Sequence, residues 1–125
     1  MGKDERMVLL RTLIAVARSD GHFAEVEKER IRHLVGFLGL GADGKAEIEP
    51  LLADDAPAPA LPAREDLPDY ETRLYVFQQA LILIYADGVL HEGEHGEATA
   101  LAQALELKTA DVDRAWRRAS EMASQ

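Results

Sequence analysis

The two halves of the chain repeat each other. A single shift along the sequence places Asp20-Gly21 on Asp87-Gly88 and pairs apolar positions along the segment that follows each turn. The paired positions are Ile31 with Ala98, Leu34 with Leu101, Val35 with Ala102 and Leu38 with Leu105. Both sets have the i, i+3, i+4, i+7 spacing of an amphipathic helix. The duplication therefore predicts two copies of one helical unit.

A strongly apolar helix is predicted at the start of each half, at about Asp4 to Ser19 and Asp69 to Ala86. Their final turns leave little polar surface, which places both helices in the centre of a bundle. A third helix follows in each half, at Lys45 to Leu52 and at Ala110 to Ala123, and Pro50 should end or kink the earlier one. We expect an all-α fold of six to seven helices, with duplicated three-helix units around two buried central helices.

Residues 54–68 separate the two repeats, which cover about residues 4–53 and 69–123. This segment holds four prolines and four acidic residues, a composition typical of an extended linker, with a short turn near Arg64. Each repeat alone has only about 50 residues, too few to cover its apolar central helix. We therefore expect residues 1–125 to form a single domain.

The chain carries 14 basic and 23 acidic residues, a net charge of −9. This balance argues against binding to nucleic acid or to anionic lipid. No cysteine is present, which excludes disulfides and zinc sites built on thiolates. The longest apolar runs are far shorter than the roughly 18 residues that a membrane span needs, and the charged N-terminus is unlike a secretory signal. We expect a cytoplasmic protein that does not associate with membranes.

An Asp-Gly turn with glutamates five and seven residues after the aspartate occurs in both halves, in the segments Ser19 to Glu27 and Ala86 to Glu94. With the helix that follows each turn, these segments resemble the TerB-like family, which includes the tellurite-resistance protein TerB and the N-terminal region of DjlA-type co-chaperones. The resemblance covers most of the chain apart from the linker. It implies a multihelical domain with two buried central helices, a divalent-metal or acidic interaction site at the turns, and a role in tellurite resistance or stress response.

The glutamates of the two turns also fit a structural role. Glu27 and Glu94 lie three residues after the expected N-cap residues, Ala24 and His91, where a capping box places its carboxylate. The box is incomplete, because Ala24 has no side-chain acceptor and His91 is an unusual N-cap residue. Capping therefore accounts for part of the pattern and does not exclude a metal site at the turns.

Side chains that bind divalent cations gather at the turns. Carboxylates suit Ca²⁺ and Mn²⁺, and imidazoles suit Zn²⁺. The candidate ligands are Asp87, His91, Glu92, Glu94 and His95 at the second turn, and Asp20 and Glu27 at the first. The second turn is the better candidate, because Arg18, Lys28 and Arg30 lie near the first. We expect folding to proceed without the metal, since a chain of this length buries a sufficient core.

The segment His91-Glu92-Gly93-Glu94-His95 matches the His-Glu-x-x-His pattern of zinc peptidases. That chemistry needs the pattern inside a helix and a third ligand from a neighbouring element. Here the pattern falls at the start of a predicted helix, and no third ligand is evident. The leading hypothesis is a non-enzymatic protein that binds a divalent cation or a protein partner through its acidic turns. The alternative is a small zinc hydrolase that uses His91, Glu92 and His95.

Three arginines, Arg114, Arg117 and Arg118, surround Trp116 in the last predicted helix. They could form a basic recognition patch. Trp116 lies on the apolar stripe of that helix, so a core aromatic residue with a solvated basic face is the favoured interpretation. The sequence leaves the oligomeric state open.

Overall fold

The protein is described from a computed structural model, which covers residues 2–19, 23–85 and 92–123, with all of their side chains except those of residues 92–94 and 123. Within these residues the structure has six α-helices, two short 3-10 helices and no β-strand. The α-helices are α1 (Lys3–Ala17), α2 (Glu25–Phe37), α3 (Gly41–Ile48), α4 (Tyr70–Ile84), α5 (Glu92–Ala104) and α6 (Thr109–Ala123). The 3-10 helices are Glu49–Leu52 and Arg64–Asp66. The expected all-α fold is confirmed.

The bounds of the helices follow the repeat. The shift that places Asp20 on Asp87 also places both ends of α1 on the ends of α4, and both ends of α2 on the ends of α5. The third helices differ, because α3 has 8 residues and α6 has 15. Helix α3 begins at Gly41, four residues before the predicted start at Lys45, and gives way at Glu49 to the 3-10 helix that contains Pro50. The proline therefore ends the α-helix, as predicted.

Helices α1 and α4 form the centre of the bundle and pack against each other. Helices α2 and α3 pack on α1, while α5 and α6 pack on α4. Both central helices contribute fully buried side chains, among them Leu9, Leu13, Ile14, Phe77 and Leu81. Each side chain of this size stabilises the fold by roughly 1.5–3 kcal/mol when it leaves water. The two buried central helices are therefore confirmed, and the core lies between the two repeats.

Three arginines donate hydrogen bonds to backbone carbonyl oxygens outside the α-helices. The pairs are Arg6 with Leu38, Arg18 with Leu51 and Ala53, and Arg73 with Leu67 and Pro68. These bonds satisfy carbonyl groups that no helix or sheet pairs. Because the partners of Arg18 and Arg73 flank residues 54–66, the linker is held at both of its ends.

Among the helices that the structure describes, none combines the length and the apolar content needed to cross a lipid bilayer.

Candidate functional site

The first acidic turn is described only in part, since Asp20 lies outside the described residues. Glu27 is buried, with 3% of its surface exposed, and its Oε1 accepts a hydrogen bond from the backbone N–H of Ala24 at 2.9 Å. Ala24 has no side-chain acceptor to complete the capping box. The Glu27 carboxylate therefore fixes the start of α2, which is the structural role that the sequence indicated.

Two cations lie beside this first turn. The Nζ atom of Lys28, a residue only 8% exposed, lies 2.6 Å from Asp54 Oδ1 and 3.9 Å from Glu25 Oε2. The hydrogen bond from Lys28 lowers the pKa of Asp54. The guanidinium of Arg18 lies 4.7 Å from the centroid of the Phe23 ring. The first turn therefore has two fixed positive charges beside it, and Lys28 already occupies the carboxylates of Asp54 and Glu25.

The second acidic turn falls mostly outside the described residues. Asp87 and His91 lie outside them, and the side chains of Glu92 and Glu94 in α5 are not described. His95 is exposed, and its ring centroid lies 5.0 Å from that of Trp116. Among the residues with described side chains, no group of three or more His, Asp or Glu residues could hold a metal ion.

The described neighbours of the second turn differ in charge from those of the first. Under the shift that relates the two repeats, Tyr85 stands where Arg18 does and His95 stands where Lys28 does. Both rings contact the indole of Trp116, which Tyr85 meets edge-on at 6.4 Å. In the second repeat, aromatic contacts with Trp116 therefore replace the two fixed positive charges of the first repeat.

A surface groove runs between α4 and α6, and the sequence did not predict it. Its apolar and amide lining comes from Leu74, Gln78 and Ile82 of α4 and from Ala115, Ala119 and Met122 of α6. We call it the α4–α6 groove. Its volume is about 310 Å³. On the groove side, α6 presents the small buried side chains of Ala115 and Ala119 to α4, and the larger Leu74 and Ile82 stay half-exposed.

Charged residues line one wall of the α4–α6 groove. Arg114 and Arg118 are one helical turn apart on α6, and both are exposed. Asp111 lies on the same wall, where it accepts hydrogen bonds from Arg114 at 3.1 Å and from the Tyr70 hydroxyl at 2.6 Å. The α4 wall adds the neutral amides Gln78 and Gln79. The groove lining is therefore net positive in a chain of net charge −9.

Tyr70 fixes the start of α6 beside the start of α4. Its hydroxyl donates to Asp111 Oδ2 and accepts the backbone N–H of Lys108 at 3.1 Å. Burial raises the pKa of Tyr70, and the hydrogen bond to the Asp111 carboxylate raises it further. These two bonds hold the α6 wall of the groove in place.

The comparison with protein families gives one match. A family model described as a protein of unknown function, DUF533, matches residues 2–119. The chain belongs to the DUF533 family. Searches of curated proteins and of solved structures found no match.

One sequence signal could have revealed the groove in this DUF533 chain. Arg114, Arg118 and Met122 recur every four residues, and the small residues Ala115 and Ala119 lie beside them on the same side of α6. The sequence pattern instead places the arginines around Trp116, whose ring packs against Phe77 and Tyr85. The favoured interpretation of Trp116 as a core aromatic residue agrees with these contacts.

Proposed function

We propose that this DUF533 chain is a non-enzymatic binding domain whose α4–α6 groove receives a helix of a protein partner. One observation carries the proposal: an apolar floor open to solvent between two long helices. At 1.5 Å per residue, the lining spans about 12 Å along α4, from Leu74 to Ile82, and about 16 Å along α6, from Asp111 to Met122. A cleft of that length fits two to three turns of an amphipathic helix, a common mode of peptide recognition.

The proposal includes a relation to TerB-like proteins and a cytoplasmic role in tellurite resistance or stress response. The Asp-Gly turn that occurs in both repeats supports it, together with the duplicated all-α architecture. The proposed biological process is based on the resemblance to TerB-like proteins, whereas the proposed docking of a partner helix is based on the α4–α6 groove.

Two exposed apolar residues provide a matched test of docking. Met122 lines the groove and is 51% exposed, and Phe37 lies outside it and is 73% exposed. Because both are at the surface, a glutamate at either position buries no charge. We expect helical peptides selected from a phage library on the wild-type protein to bind Phe37→Glu normally and to lose at least about tenfold in affinity for Met122→Glu. Selection of no peptide, or equal losses on both variants, would contradict docking in the groove.

A divalent cation at the second turn is a second candidate function. The observation that favours it is the replacement of Arg18 and Lys28 by Tyr85 and His95 in the second repeat. This replacement removes two fixed positive charges from the surroundings of the candidate ligands. Carboxylates at this turn would suit Ca²⁺ or Mn²⁺, and the imidazoles would suit Zn²⁺.

Melting curves with and without metal test the second candidate. A ligand at a hundredfold excess over its Kd stabilises the folded state by about 2.7 kcal/mol, a shift of roughly 5 to 10 °C for a chain of this size. We expect Asp87→Asn/Glu94→Gln to abolish the shift and Asp20→Asn/Glu27→Gln to retain most of it. A wild-type melting temperature that is the same in EDTA, Ca²⁺, Mn²⁺ and Zn²⁺ would remove the metal site.

The same zinc-loaded protein tests the alternative of a small zinc hydrolase. We expect it to leave casein and short peptides intact. Cleavage that disappears in the Glu92→Gln variant would establish hydrolase activity instead.

A further inference from the structure

We infer, on the basis of the proposed docking function, that the partner helix is acidic. Its apolar face lies on the floor of the α4–α6 groove, and carboxylates along one flank pair with Arg114 and Arg118. The inference concerns the chemistry of the partner, and it can fail while docking itself stands.

The charge of the groove is the first argument. With 23 acidic and 14 basic residues, the net charge of −9 disfavours an acidic ligand over the molecule as a whole. Among the described residues that line the α4–α6 groove, Asp111 is the one acidic residue, and the Tyr70 hydroxyl and the Arg114 guanidinium already bond to its carboxylate. The two arginines of this wall therefore attract an acidic segment.

Arg118 gives the second argument. Its side chain lines the groove, and within the described part of the chain it forms no ion pair. An unpaired guanidinium at the rim of an apolar floor can bond a carboxylate in two-point geometry without breaking an existing contact. Such rim charges set specificity and association rate more than affinity.

The α4 wall supplies the third argument. Gln78 and Gln79 present side-chain amides that donate and accept hydrogen bonds without charge. Neither of them repels a carboxylate that enters from the side of α6. The asymmetry predicts that the acidic residues of the partner lie along a single flank of its helix.

The floor favours a helix over a nucleic acid. None of the lining residues within the described part of the chain has an aromatic side chain on which a base could stack, and the nearby indole of Trp116 packs against Phe77 and Tyr85. The floor instead presents Leu74, Ile82 and Met122, which can pack against leucine-sized side chains on the apolar face of an amphipathic helix.

The experiment is a phage selection on the wild-type protein. Its library encodes helices of about 18 residues, long enough for helix formation in isolation. One face is apolar, and the flanking positions are encoded equally as Glu, Gln or Lys. We expect Glu to be enriched along one flank. Flanks enriched in Gln or Lys, or left unselected, would overturn the acidic partner while leaving docking intact, and selection of no helix would remove both.

Arginine variants test whether the attraction of acidic peptides comes from the arginines of the groove. The selected acidic peptides should lose about tenfold in affinity for Arg114→Gln/Arg118→Gln, as two exposed ion pairs predict. Arg117→Gln removes one positive charge from α6 outside the groove and should change affinity less than about twofold. Equal losses for both would place the attraction in the general charge of α6 and overturn the inference.

Two other occupants of the α4–α6 groove would also overturn the inference of an acidic partner helix. One is a nucleic acid, indicated by oligothymidylate that binds wild-type protein and Met122→Glu alike but not Arg114→Gln/Arg118→Gln. The other is a second copy of the chain, indicated by a dimer in sedimentation that Met122→Glu dissociates and Phe37→Glu does not.

Discussion

Asp54 has a side chain that is 93% exposed, yet a buried lysine holds it at 2.6 Å. Its pKa is lowered by the hydrogen bond from Lys28, so the pair stabilises the fold above the unfolded pKa of about 3.9, and this contribution is lost as the pH falls through the lower folded pKa. We expect Asp54→Asn to lower the urea midpoint at neutral pH and to flatten its fall on acidification. Asp55→Asn, at the adjacent exposed aspartate, is the control and should change neither.

The contribution of Tyr70 to stability changes with pH in the opposite direction to that of Asp54. Its pKa is raised above the ordinary 10.0, first by burial and then by the hydrogen bond to Asp111. The stabilisation is fully present below pH 10.0 and is lost as the pH rises through the folded pKa. We expect Tyr70→Phe to cost about 1 kcal/mol at neutral pH and to weaken the alkaline loss of stability. Urea midpoints on both sides of pH 10.0 measure both effects, and a similar change in the control Tyr75→Phe would contradict the assignment.

Among elements, α2 begins with half of a capping box and can be improved. Ala24 has the extended N-cap backbone, with φ −68° and ψ 150°, but its side chain accepts no hydrogen bond. We expect Ala24→Ser to stabilise the protein by about 1 kcal/mol, because the new hydroxyl can accept the backbone N–H of Val26 or share that of Glu27. Ala42→Ser, inside α3, controls for the hydroxyl alone and should give no gain in thermal melting. No rise in the Ala24→Ser melting temperature would contradict the capping geometry.

The sequence predicted both ends of α1, α4 and α6 to within about two residues, which is the usual uncertainty of helix bounds. It missed the start of α3 because glycines begin that helix, and glycine has low helix propensity. Both glycines are required by local geometry. Gly41 takes the left-handed φ of 66°, and a Cβ on Gly44 would lie 2.4 Å from the Cβ of Leu40, one helical turn earlier. Apolar periodicity does not register such requirements of the backbone.

The candidate metal site stays a prediction, because most of its ligands lie outside the described side chains. Glu27 and His95 are the predicted ligands whose side chains the structure describes, and Glu27 caps α2 while His95 packs on Trp116. The α4–α6 groove was missed because its depth depends on side-chain sizes on two helices about 40 residues apart in sequence. The periodicity of a single helix does not relate side-chain sizes on α4 to those on α6.

At the scale of the whole molecule, the two repeats interlock. Besides the pairing of α1 with α4, helix α5 contacts α1 and α2 contacts α4. We expect residues 1–125 to unfold in one cooperative transition, because neither half keeps a covered core without the other. Trp116, the sole tryptophan, reports on the second repeat, and far-ultraviolet circular dichroism reports on every helix. Their urea curves should coincide, and an earlier fluorescence transition would show two separable units.

The pairing of α1 with α4 also sets an order of events during synthesis. The ribosome completes α1 at Ala17 and reaches the matching end of α4 only at Ile84. At about 5 to 20 residues per second, that delay lasts about 3 to 13 s. During this interval α2 and α3 can pack on α1, but the side of α1 that packs on α4 has no partner. Apolar surface that is exposed in this way during synthesis is prone to aggregation, so the first repeat depends on the arrival of the second.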